Sequence, residues 1–66
     1  MKRWNENTNK REKNIKIDNF IKEINKMFKK YNLCIGHEDI GGAFIIYDYD
    51  KEIVKWFNDA SFNIKE

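Results

Sequence analysis

The sequence predicts a small α+β domain: an α-β-β-α unit with a two-stranded antiparallel hairpin, completed by homodimerisation. Three observations carry this reading. An apolar stripe at helical spacing runs from Ile17 to Tyr31. Two short strand-like runs, at 33–38 and 43–48, flank a Gly-Gly turn. A second amphipathic stretch follows Asp50. Sixty-six residues allow one domain. Residues 1–9 read as a polar basic arm and residues 10–66 as the domain.

The arm, MKRWNENTN, has no apolar period, and Trp4 is its one aromatic residue. Asn9 and Glu12 have the spacing of a capping box, which places the first helix start near Lys10; the apolar stripe alone places it near Ile17. Within the helix, Ile17, Phe20, Ile21, Ile24, Met27, Phe28 and Tyr31 share a face, and Lys22, Glu23, Lys26, Lys29 and Lys30 occupy the other. Lys29 and Lys30 complement the helix dipole at its C-terminal end, and Asn32 suits a left-handed stop.

In the first strand Leu33, Ile35 and His37 alternate with Cys34, Gly36 and Glu38. In the second, Phe44, Ile46 and Asp48 alternate with Ala43, Ile45 and Tyr47. The glycines of DIGG supply the positive φ angles of a short loop. Asp50 is a natural N-cap for a helix whose apolar face is Ile53, Trp56, Phe57 and Ala60. Phe62 and Ile64 alternate and are expected to extend along a neighbour.

This inventory leaves too many apolar faces for one small chain. A domain of this size buries only about 60% of its unfolded surface, and a lone hairpin is marginal in water. Burying an Ile or Phe side chain is worth roughly 1.5–3 kcal/mol. A homodimer is the commonest way to cover the surplus, with Phe20, Ile24, Phe28, Phe44, Ile46, Trp56 and Phe57 as the self-association residues. The alternative is an apolar face that docks a different protein.

Other staples are excluded by composition. One cysteine makes no internal disulfide, and one histidine with one cysteine is too few for a structural zinc site. A single cysteine suits a reducing cytoplasm. No apolar stretch approaches a membrane span or a secretory signal, so neither a membrane partner nor export is expected. The richness in Lys, Asn and Ile is what AT-rich coding produces and points to a low-GC bacterium or its phage.

Residues 34–50 concentrate groups that could do chemistry: His37 with Glu38, Asp39, Asp48 and Asp50. A histidine among carboxylates can hold a metal that activates water, and His37 and Asp48 could face each other across the hairpin. Consecutive strand residues diverge, however, and nothing resembles two ligands on one helix face. Cys34 and His37 point to opposite faces, which defeats a nucleophile–base pair. No cofactor is expected, and the chain reads as a non-enzyme.

Charge is divided along the chain. Residues 1–32 hold ten Lys/Arg against four Asp/Glu, a net of +6; residues 33–66 hold three against seven, a net of −4. Lys2, Arg3, Lys10, Arg11, Lys13 and Lys16, with Trp4, could track a phosphate backbone. A small nucleic-acid-binding regulator using this arm and the first helix is therefore the alternative reading. A ribbon-type reader needs its cations on strands, and the expected strands are acidic.

The stretch from Asn32 to Phe57 resembles short proteins of Firmicute phages and prophages. They share a His-Glu-Asp turn, Gly-Ala-Phe opening a second strand, an acidic-aromatic segment and a Trp-containing helix. The matching residues are His37, Glu38, Asp39, Gly42, Ala43, Phe44, Tyr49 and Trp56. Ile40, Gly41 and the long basic segment before residue 14 depart from that pattern. The resemblance implies a phage or prophage source. Small phage proteins of this class are often stoichiometric inhibitors of host machinery; one directed against the Hachiman defence system is of comparable size. The expectation is a cytoplasmic inhibitor of a host antiviral defence protein. His37, Glu38, Asp39, Tyr47 and Tyr49 form its expected partner-binding surface, since exposed aromatics anchor interfaces.

Overall fold

The computed structural model describes residues 1–38 and 40–65. The elements are β1 (Lys2–Asn5), β2 (Lys10–Lys13), α1 (Ile15–Tyr31), β3 (Leu33–His37), β4 (Phe44–Asp48) and α2 (Lys51–Asn58). The fold is α+β, as expected, with two antiparallel hairpins where the sequence indicated one.

The added hairpin is the main correction. Residues 1–9, read as a polar arm, supply β1 and the whole of the loop after it, and β1 pairs antiparallel with β2 from Lys2↔Lys13 to Asn5↔Lys10. Asn9 is not a helix cap. It adopts the left-handed conformation at φ 55°, where its amide donates to the Asn5 carbonyl and closes the turn. Asn is among the few residues that take this conformation readily. Glu12 lies in β2, where its carboxylate accepts from Asn5 Nδ2 and Thr8 Oγ1.

α1 starts at Ile15, between the two expected positions. Its N-cap is Asn14, whose side chain accepts from the Ile17 amide, a contact worth about 1 kcal/mol. Asn32 ends the helix at φ 56°, ψ 39°, its amide bonding back to the Phe28 carbonyl. Asp50 caps α2 by accepting from the amides of Glu52 and Ile53. In the second hairpin the Glu38 amide donates to the Ala43 carbonyl and the Gly42 amide donates to the Glu38 carbonyl, closing the loop; of the two glycines only Gly42 has a positive φ, 68°.

Two apolar clusters form the core. Ile17, Ile21 and Phe62 make one; Phe28, Cys34 and Val54 make the other, with Ile24, Ile35, Tyr49 and Ile53 packed on it. Phe57 touches both clusters and meets Phe28 edge to face at 5.1 Å between centroids. Phe62 extends along a neighbour, as its alternation indicated: its amide donates to the Trp4 carbonyl and its carbonyl accepts from the Glu6 amide. The C-terminal segment thus runs parallel to β1. It covers the first cluster and ties the new hairpin to the body.

Arg3 completes that attachment. It is only 3% exposed, and its guanidinium donates to the carbonyls of Asn58 and Ala60 at the end of α2. Its Nε lies 3.4 Å from Asp18 Oδ1, an ion pair without hydrogen-bond alignment. The last carbonyls of a helix lack intrahelical donors, and a cation there also opposes the negative end of the dipole. Arg3 therefore cannot reach a phosphate backbone, as the nucleic-acid reading required. Its charge is used inside the fold.

Candidate interaction surface

The register of the second hairpin decides which side chains can act together. Leu33 faces Asp48, Ile35 faces Ile46 and His37 faces Phe44, so these six share one face. Cys34, Gly36, Ile45 and Tyr47 occupy the other. His37 and Asp48 are at opposite ends of the ladder, so the cross-strand pairing considered for a metal does not form. The His37 ring instead meets the Phe44 ring edge to face at 5.5 Å. Cys34 is fully buried, its Sγ 3.3 Å from the Asp48 carbonyl.

The face bearing Ile35, Phe44 and Ile46 is open. Phe44 is 79% exposed, Ile46 69% and, on neighbouring α2, Trp56 70%. Two shallow hollows line it. One, of about 300 Å³, lies between His37, Phe44 and the α2 residues Trp56 and Phe57. The other, of about 180 Å³, lies between Ile46, Leu33 and the α1 residues Met27 and Tyr31. Ile35 lines both, which makes them one apolar trough flanked by the two helices.

The folded chain is also more open than its mass predicts. A folded monomer of 8.1 kDa should expose about 4,500 Å², whereas this chain exposes 5535 Å². Its radius of gyration, 12.7 Å, exceeds the roughly 11 Å of a compact chain of this length. The body is a slab of 34 × 28 × 18 Å. The surplus of about 1,000 Å² is near the roughly 800 Å² that each partner gives up in a standard interface.

The self-association residues named from the sequence divide. Phe44, Ile46 and Trp56 lie on the trough, and Phe20 is exposed on α1. Phe28 is buried, and Ile24 and Phe57 pack on the chain's own core, Phe57 reaching the trough as well. Helical period marks the seven stripe residues of α1, Ile17 to Tyr31, as apolar but does not distinguish the buried line Ile17–Ile21–Phe28 from the exposed shoulder Phe20–Met27–Tyr31 beside it. Sequence reasoning passed over Met27, Tyr31 and Leu33 as trough residues, although their helical and strand spacing carried the signal.

The expected partner-binding residues are not gathered into one patch. His37 is on the trough face, and Tyr47 is on the opposite face, its ring over Gly36. Tyr49 is half-buried against the core. Glu38 is exposed at the loop, and Asp39 lies outside the described residues. No helix of the described residues is long and apolar enough to cross a membrane. Compared with family models, curated proteins and solved structures, the chain has no significant match.

Proposed function

We propose that this chain is a non-enzymatic binding protein of phage or prophage origin that works as a homodimer in the host cytoplasm. It blocks a host antiviral defence protein by stoichiometric binding. The observation that carries the reading is the open apolar trough of Ile35, Phe44, Ile46 and Trp56 on a protomer with surplus surface. Contiguous apolar surface of this kind marks a protein interaction site.

The second copy is favoured as occupant of the trough by the edge of β4. Among the described residues this strand pairs on one side only, and its residues Phe44–Asp48 contain no Lys or Pro to discourage another strand. A two-fold pairing of β4 with its symmetry mate would join two hairpins into one four-stranded sheet and bring the two troughs side by side on one apolar face. Glu38 at the loop and Tyr47 on the opposite face then remain to meet the host protein.

Sedimentation equilibrium and pull-down from host lysate test the two halves separately. A dimer that captures one host protein at one protomer per target, resistant to nuclease, supports the reading. A monomer at all accessible concentrations removes the dimer. Loss of all captured protein after nuclease removes the inhibitor.

A further inference from the structure

The residues of β1 and β2 that do not enter the fold form a second surface. Cross-strand partners share a face, so Lys2 with Lys13 and Trp4 with Arg11 stand together on the outer side of the first hairpin. Their neighbours on the inner side, Arg3 and Asn5, are buried. The outer face therefore carries three cations around an indole that is 42% exposed. The strands that bear cations, which the sequence did not indicate, are present in this hairpin.

Two features of this face point to an anionic ligand. Lys2 and Lys13 are directly opposed, and like charges at such positions destabilise a sheet. Among the described residues, nearby carboxylates do not relieve them. Glu12 is on the inner face, engaged by Asn5 and Thr8. Asp18 is paired with the Met1 amino group and Arg3. Glu6 sits in the loop at the other end of the ribbon. Arg11 Nη2 donates to the Lys2 carbonyl at 3.2 Å, which draws its guanidinium toward the lysine end and concentrates the charge. Lys16, in the first turn of α1, adds a cation where the helix dipole is already positive.

We propose that the outer face of the β1–β2 ribbon binds single-stranded nucleic acid without sequence preference. Lys2, Arg11 and Lys13 neutralise phosphates, and Trp4 stacks on an unpaired base. A single aromatic ring among cations is the elementary unit of single-strand binding, because every unpaired base offers a π-face. In a duplex the bases already stack on one another and leave Trp4 no partner. The ribbon carries no Asn or Gln on this face to read adenine edges, so sequence discrimination is not expected. This site is separate from the apolar trough. It uses the segment before residue 14 that departs from the phage pattern.

Fluorescence anisotropy with a short labelled oligo-dT, a hairpin duplex and heparin as competitor tests the assignment. The expected result is binding of oligo-dT at about 50 mM salt, with log K falling against log salt at a slope near −2 for three phosphates. Trp4→Ala should weaken it about tenfold or more. The double variant Lys2→Glu/Lys13→Glu, which leaves Trp4 and the buried face intact, exchanges one like-charge pair for another and should abolish binding while the melting temperature holds. Absence of binding at low salt, equal affinity for duplex, or full affinity in both variants would each overturn the proposal. Competition by heparin that leaves Trp4→Ala equal to wild type would mark a plain polyanion surface and would also overturn it.

Discussion

Arg3 and Asn58 stand 55 residues apart, yet the Arg3 guanidinium donates to the Asn58 carbonyl at the end of α2. The same side chain lies against Asp18 in the first turn of α1. One buried cation therefore joins the N-terminal hairpin to both helices. Replacing it with Ala strips a donor from the part-buried carbonyls of Asn58 and Ala60 and leaves Asp18 without its buried partner, which should cost about 2 kcal/mol. For a domain of this size that lowers the melting temperature by roughly 10 °C. Arg3→Lys should not restore it, since an ammonium cannot span carbonyls and carboxylate in the same fork. Thermal denaturation of the two variants reads this directly. Equal melting temperatures for wild type and Arg3→Ala would refute the role.

Phe44 and Ile46 should separate folding from self-association. Both are largely solvent-exposed in the protomer, so charged residues there should change protomer stability by no more than about 0.5 kcal/mol. Phe44→Glu/Ile46→Glu is expected to sediment as a monomer. Wild type should melt higher as concentration rises, because association stabilises by mass action, and the variant should lose that dependence.

Gly36 should not tolerate a side chain. A methyl group there would lie 2.7 Å from Tyr47 Cε2 and 3.1 Å from Ile53 Cγ2. Overpacking of this kind costs about 1–3 kcal/mol. Gly36→Ala should therefore lower the urea midpoint, and Tyr47→Ala in the same chain should recover part of the loss. Strict additivity of the two changes would show that the ring does not press on this position.

Cys34 is fully buried between Phe28 and Val54. Its thiol should react with a disulfide reagent only as fast as the domain opens, and at an ordinary rate in denaturant. Rapid labelling of the native protein would place the residue at the surface instead.

Asn32 tests the helix stop. At φ 56° Ala is strained and should cost about 1 kcal/mol, whereas Gly should be neutral or better. Equilibrium unfolding of the two variants distinguishes a backbone requirement from a side-chain one.

The parts of the molecule legible in sequence are those built from local rules. The α1 stripe, the Asn32 stop, the Asp50 cap and the alternation of β3 and β4 each follow from residues within a few positions of one another. The N-terminal hairpin was not legible in this way. Its buried face consists of Arg3 and Asn5, polar residues that leave no apolar period, and its turn depends on Asn9 at positive φ. Its one local clue, Asn9 three residues before Glu12, matched a helix cap equally well.

By itself, then, the sequence determined the α+β class, the helix boundaries to within a few residues and the surplus of apolar side chains. Only the tertiary structure decided which of those side chains the folded chain buries and which it leaves on the trough, because burial depends on what packs against a face as well as on its period. It also decided the fate of the N-terminal cations. Arg3 is bound by carbonyls that arrive from the far end of the chain, while Lys2, Arg11 and Lys13 share an outer face through a strand register set by the loop. Contacts across such separations leave no local signature, since the chain must fold before the partners meet.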